Sequence, residues 1–224
     1  MVTTGAPTSS ATKTEILDLV SGKICAEMTD FPVENYGGVG ANLNGTPIVC
    51  GGYSSDTLTW LQTCYTFTNS SWQTFTSMKE KRYQAAGVMY NNTFHVFGGS
   101  DGSSPLLTTE LISIDGGVEY GPDLPTAVRL HAIAFSNSTV SILSGGYTSA
   151  ANWSPLTWFF NHETQAFSPG PSLLEARRGH GSAACVDKVT QEKILFVVGG
   201  YDGGAMNSTE MLINGTEWKS GTIQ

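Results

Sequence analysis

The chain has 224 residues and a net charge of −8, a size that suits one large all-β domain or two small ones. Charged residues make up 13% of it, about half the usual share, while Gly reaches 26, so a coiled coil or long charged helix is excluded. Lys and Arg nowhere cluster, so the footprint of a nucleic-acid binder is missing, and the longest strongly apolar run, residues 194–198, is far below the roughly 20 needed to span a bilayer.

Taken in chain order, the sequence repeats. Val2-Thr3-Thr4-Gly5 looks like the tail of a segment that recurs as PIVCGG at 47–52, FHVFGG at 94–99, ILSGG at 142–146 and LFVVGG at 195–200. The units end at Gly5, Gly52, Gly99, Gly146 and Gly200, spaced 47, 47, 47 and 54 residues apart. After each glycine comes a β-branched and aromatic run: TEILDL at 14–19, TCYTFT at 63–68, TELISI at 109–114, TWFF at 157–160 and TEMLI at 209–213. An aromatic follows at Trp72, Tyr120, Phe167 and Trp218, with Ile24 in its place in the first unit. Next stand an apolar residue and an Arg: Met78 with Arg82, Leu124 with Arg129, and Leu174 with Arg177 and Arg178, while the first unit has Asn35 instead of the Arg. A small-residue strand then turns through Asn44-Gly45, Asn91-Asn92 or Asn137-Ser138 into the next Gly-Gly strand. Each unit reads as a meander of four short strands, with no long helical period. Paired glycines fit places where a Cβ would clash.

The glycine pair after an apolar strand, with an aromatic about twenty residues on, resembles the kelch repeat family across essentially the whole chain. The resemblance implies an all-β kelch β-propeller whose blades carry strands a to d from the axis outward. It is a single domain over 1–224, with about four complete four-stranded blades near 37–78, 85–124, 131–172 and 179–219 and a half blade at 14–31. A half blade leaves apolar edges open, so the expectation is an incomplete ring in a fragment of a longer protein; the alternative is a closed five-bladed ring with one incomplete blade.

In such a meander the a–b and c–d turns share one side, and the b–c and d–a loops share the other. Asn-x-Ser/Thr acceptors stand at Asn44, Asn69, Asn91, Asn137, Asn152, Asn207 and Asn214, seven among eleven asparagines, where chance would give about two or three. Five fall on the a–b and c–d side; Asn152 and Asn207 fall on the other. The excess points to a glycosylated protein of the secretory pathway, the alternative being that Asn, Ser and Thr simply pool in turns. The first twenty residues lack the pattern of a leader. The b–c and d–a side carries Arg82, Arg129 and Arg177 with Tyr53, Asp101, Tyr147, Trp153 and Tyr201. Arg and aromatic residues anchor interfaces, and related kelch propellers bind partners there, so these eight are candidate protein-binding residues. The competing role for the arginines is bonding to inter-blade carbonyls.

Four cysteines, Cys25, Cys50, Cys64 and Cys185, allow three pairings when all are oxidised and include no C-x-x-C. In the kelch topology Cys50 ends strand b and Cys64 lies in the neighbouring strand c, so a Cys50–Cys64 disulfide is plausible, with two buried thiols as the alternative. Catalysis finds no support. His95, His131, His162 and His180 form no metal motif, residues 179–184 match G-x-G-x-x-A without the strand–helix setting it needs, and Asp56, Asp101 and Asp202 are ordinary loop residues. The copper site of galactose-oxidase-like enzymes cannot be assembled from these residues. The expectation is a non-catalytic, secreted or ectodomain protein-binding module with no cofactor and no metal. Its rivals are an intracellular substrate adaptor of a ubiquitin ligase and an enzyme fragment.

Overall fold

The structure, a computed structural model, describes residues 2–3, 12–15, 29–135, 138–150 and 152–221. Gly5, Ile24, Cys25 and Asn137 therefore lie outside the described residues. The fold is all-β, with no helix among the described residues. A short pair, β1 (Val2–Thr3) with β2 (Thr14–Glu15), precedes four antiparallel four-stranded sheets. Sheet one is β3 (Val39–Leu43), β4 (Thr46–Ser54), β5 (Thr59–Thr68) and β6 (Ser71–Ser77); sheet two is β7 (Ala86–Tyr90), β8 (Thr93–Phe97), β9 (Thr109–Ser113) and β10 (Val118–Tyr120). Sheet three is β11 (Ala132–Phe135), β12 (Val140–Ser144), β13 (Thr157–Asn161) and β14 (Ala166–Pro169), and sheet four is β15 (Gly181–Val186), β16 (Lys193–Val198), β17 (Thr209–Ile213) and β18 (Glu217–Gly221). Each is a meander in sequence order, one per predicted repeat. The described chain forms two compact units: residues 1–96, 100–103 and 110–120, and residues 97–99, 104–109 and 121–224.

Turn chemistry sets the meander. Asn44, Asn69, Asn91 and Asn214 adopt φ between 44° and 51° at the β3–β4, β5–β6, β7–β8 and β17–β18 turns, a left-handed conformation that Asn tolerates better than most residues. Each of the four glycine pairs at 51–52, 98–99, 145–146 and 199–200 is left-handed at both residues, as at Gly51 (φ 63°) and Gly52 (φ 105°). A Cβ on Gly51 would lie 2.3 Å from the Arg82 carbonyl oxygen, so the chain needs glycine here for conformation and for close approach.

Alternation along the strands gives every sheet two faces. In the first unit, Val39, Leu43, Ile48 and the two cysteines of sheet one bury against Phe94, Val96 and Ile112 of sheet two. In the second, Ile142 of sheet three clusters with Leu195, Val197, Leu212 and Trp218 of sheet four. Each fully buried large apolar side chain contributes about 1.5–3 kcal/mol. Cys50 and Cys64 form a disulfide between directly paired residues, with Cα atoms 4.0 Å apart. They occupy the places held by Ser144 and Thr157 in sheet three and by Val198 and Thr209 in sheet four.

Three repeat positions differ from the sequence alignment. Val118, paired with Ile112, takes the place of Trp72 and Trp218, which pair with Phe67 and Leu212; Tyr120 is two residues further on and exposed. Leu173, buried, is the equivalent of Met78 and Leu124, since the amides of all three donate to the carbonyl two residues before Thr157, Cys64 and Thr109 respectively, namely Pro155, Gln62 and Leu107, and Leu174 is exposed. Val128 rather than Arg129 matches Arg82 and Arg177: their carbonyls accept from the second glycine amide of the preceding pair, Gly99, Gly52 and Gly146 respectively.

Candidate functional site

The residue that follows each sheet's last strand and precedes the next sheet's first is buried. It is Asn35, Arg82, Val128 and Arg177 in the four repeats. Arg82 and Arg177 are 0% exposed, and a guanidinium so enclosed needs partners. Arg82 Nε donates to Glu110 Oε1 at 2.9 Å, and its Nη2 to Glu80 Oε2 at 2.8 Å. Arg177 donates to Glu210 Oε1 at 2.8 Å, to Glu175 Oε2 at 3.1 Å and to the Gly199 carbonyl at 2.8 Å. Each buried carboxylate also accepts two loop amides, Lys79 and Glu80 on Glu110, and Leu174 and Glu175 on Glu210. The pair thus clamps the d–a loop onto the following sheet.

The third repeat replaces the clamp as a set. Val128 stands for Arg, Trp158 for Glu, and Pro125, which has no amide hydrogen, for one of the two loop donors. Asn35 fills the position in the first repeat and donates to the Gly51 carbonyl at 2.9 Å.

One residue further on, the side chains emerge. Tyr36, Tyr83, Arg129 and Arg178 each form a backbone bridge with the residue after a glycine pair, namely Tyr53, Ser100, Tyr147 and Tyr201. These bridges fix where the rings stand. In the first unit the Tyr36, Tyr53 and Tyr83 rings meet edge to face at centroid distances of 5.3, 5.6 and 6.3 Å, and Trp60 joins Tyr53 at 5.3 Å. In the second, the Arg129 guanidinium lies 4.8 Å from the Tyr147 ring centre, and Arg178 sits between Tyr147 at 5.6 Å and Tyr201 at 5.2 Å. Trp153 extends the row to Tyr201 at 6.2 Å. All are half-exposed except Tyr201, which is exposed. Among the described residues, no carboxylate lies within ion-pair distance of Arg178.

The structure thus brings Tyr147, Arg129, Tyr201 and Trp153 into one row and Tyr53 into another, and encloses Arg82 and Arg177 beneath the loops. Tyr36, Trp60, Tyr83 and Arg178 join the rows without having been singled out. The available signal was the triplets Tyr36-Gly37-Gly38, Tyr83-Gln84-Ala85, Arg129-Leu130-His131 and Arg178-Gly179-His180, each opening a strand after a left-handed central residue. Asp101 is exposed and accepts from the amide and hydroxyl of Ser103, both at 2.8 Å.

Asn44, Asn69, Asn91, Asn152, Asn207 and Asn214 are all exposed. In sheet one, Asn44 and Asn69 occupy the end opposite the β4–β5 turn, next to which the paired Tyr53 and Trp60 stand at the strand ends. Cys185 is a free, exposed cysteine. A disulfide such as Cys50–Cys64 persists in an oxidising compartment.

The histidines are interior groups. Both ring nitrogens of His131 are buried without a hydrogen-bond partner, and burial, helped by the neighbouring His180, pulls its pKa down to about 3. Burial lowers His180 to about 4, with the Arg177 charge adding to it, and lowers His162 to about 4. Their partners are serine hydroxyls, Ser144 for His180 at 3.0 Å and Ser141 for His162 at 2.8 Å. Among the described residues no group of three or more His, Cys, Asp or Glu is placed to hold a metal ion, and no helix is long and apolar enough to cross a membrane. No family model matches the chain, and a comparison with curated proteins finds no match either.

Proposed function

We propose that the chain is a kelch-type β-propeller segment, matured in the secretory pathway, that binds a protein partner through its b–c and d–a loops and carries out no chemistry of its own. The observation that carries this reading is the pair of half-exposed rows, Tyr36, Tyr53, Tyr83 and Trp60 in one unit and Arg129, Tyr147, Arg178, Tyr201 and Trp153 in the other. Tyr, Trp and Arg are the side chains that dominate binding hot spots, because they bring large, rigid contact area with a polar end. The repeat pattern and the four meander sheets support the kelch assignment. Arg82 and Arg177 serve by holding the loops from beneath, and Asp101 by shaping the loop that bears it.

The Cys50–Cys64 disulfide and the exposed acceptor asparagines favour a secreted protein or an ectodomain over the intracellular adaptor. Tagged protein exposed to the extracellular fraction of its source tests the binding. A partner retained by the wild type and by Gln73→Ala is expected to fall at least about tenfold with Arg178→Glu or Trp60→Ala, the effect of losing one hot spot. Equal retention by all four proteins would overturn the reading.

A further inference from the structure

The clamp positions of the third repeat line a cavity. Their equivalence follows from a backbone bond at the first glycine of each pair: the Gly145 amide donates to the Leu156 carbonyl at 2.9 Å, as the Gly199 amide does to the Ser208 carbonyl at 3.0 Å. Gly145 and Leu156 are therefore the equivalents of Gly199 and Ser208, whose carbonyls accept from Arg177 Nη1 at 2.8 and 3.2 Å. Trp158 stands for Glu210 and Val128 for Arg177, and Thr126, two residues before Val128, stands for Glu175. The fourth repeat fills this space with a guanidinium and two carboxylates. In the third, Thr126, Val128, Gly145, Leu156 and Trp158 all line a cavity of about 20 Å³.

His131 also lines this cavity, and it is the polar group whose needs the fold leaves unmet. It is 7% exposed, with both ring nitrogens buried and without a hydrogen-bond partner. Comparison with His180 gives the reason. Each ring stands against the first glycine of a pair: a Cβ on Gly98 would lie 3.4 Å from His131 Cε1, and one on Gly145 would lie 2.6 Å from His180 Cε1. The residue before Gly145 is Ser144, whose hydroxyl pairs with His180 Nε2 at 3.0 Å. The residue before Gly98 is Phe97, which offers no hydroxyl. Buried polar groups that no protein atom reaches are satisfied in native folds by ordered water, and a neutral imidazole offers such a water one N–H donor and one acceptor nitrogen.

Size and charge select the occupant. The cavity exceeds the roughly 10–15 Å³ that one water needs and is too small for an organic ligand. Among the described residues, none that lines it is charged, so a cation would lose its hydration there without a counter-charge. We infer that the cavity binds one ordered water, which bridges His131 to the Gly145 carbonyl and makes there the bond that Arg177 makes to Gly199 in the fourth repeat. The water ties the d–a loop to the b–c segment at Val128 and Gly145, next in sequence to the bridged pair Arg129 and Tyr147. The inference does not depend on the binding role proposed for that pair.

A crystal structure of the chain that orders its buried waters tests the site, with oxygen-17 relaxation dispersion counting long-lived waters in solution. One density peak is expected within about 3.2 Å of both a His131 ring nitrogen and the Gly145 carbonyl oxygen. A rubidium soak is expected to leave that peak without anomalous signal. Val128→Ile adds one methylene, about the size of the water, and is expected to remove the peak and lower the count of long-lived waters by one. His131→Phe, which removes the polar partner instead, is expected to do the same and repeats the test should Val128→Ile lose its far-UV circular dichroism. A wild-type cavity without density, a peak that takes up rubidium, or a water count unchanged in the folded variants would overturn the inference.

Discussion

Arg82 and Glu110 illustrate how much a single buried pair decides. Both side chains are 0% exposed, so removing one charge leaves the other without a counter-ion in a medium that solvates it poorly. Arg82→Val is expected to cost about 3–5 kcal/mol in urea unfolding. The third repeat indicates what a compensated version looks like: Val128, Trp158 and Pro125 replace arginine, glutamate and amide donor together. The double variant Arg82→Val with Glu110→Trp should therefore recover part of the loss. Recovery stays incomplete because the Lys79 and Glu80 amides lose their acceptor.

The buried histidines make a second residue-scale prediction. His131, His162 and His180 have folded-state pKa values of about 3, 4 and 4 against 6.5 in a model peptide. Between those values the unfolded chain binds more protons, so the stability these groups contribute is present above pH 6.5 and is lost as pH falls through that window. Each fully effective histidine adds a slope of up to about 1.4 kcal/mol per pH unit. Unfolding free energy measured from neutrality down to about pH 4 should fall steeply, and His131→Gln should flatten the curve. An unchanged slope in that variant would show that His131 does not couple to folding.

At the scale of elements, the left-handed residue that opens each sheet's first strand limits what substitutions the fold accepts. Gly37 has a φ of 69°, and a Cβ there would fall 2.2 Å from the Tyr83 ring. Gly37→Ala is expected to cost about 1–3 kcal/mol through backbone strain and displacement of that ring, measurable as a lower urea midpoint with reduced near-UV tyrosine signal. The strands themselves were legible in the sequence, because alternating apolar residues, Asn turns and glycine pairs all mark the same boundaries. Phase within a repeat was less so. Sequence spacing aligned Tyr120 with Trp72, yet the Asp115-Gly116-Gly117 turn between β9 and β10 puts Val118 at that place. Arg129 was aligned with Arg82 for the same kind of reason: chemical likeness overrode a one-residue offset that only the backbone bond from Gly99 to Val128 reveals. The clamp acids Glu110 and Glu210 carried no signal of their own, since an exposed and a buried glutamate in a Thr-Glu strand start look identical in sequence. The rows of rings were half legible, with Tyr53, Tyr147 and Tyr201 marked by their glycine pairs and Tyr36, Tyr83 and Arg178 hidden in the strand-opening triplets.

At the scale of the whole molecule, the compartment and the binding surface make linked predictions. Intact mass before and after glycosidase treatment, with alkylation, is expected to reveal glycan at the exposed acceptors and no alkylation of Cys50 or Cys64. Bare asparagines with those two thiols reactive would favour the intracellular alternative. Glycans at Asn44 and Asn69 would shield the end of sheet one opposite Tyr53 and Trp60, leaving the ring-bearing loops clear for a partner. The central claim is that those loops are the interface. Hydrogen–deuterium exchange on the chain bound to its native partner tests it most directly. Protection is expected in the peptides containing Tyr36, Tyr53, Trp60 and Tyr83 and in those containing Tyr147, Trp153, Arg178 and Tyr201. Protection confined to the turns at Asn44, Asn69, Asn91 and Asn214, with those loops unchanged, would contradict it.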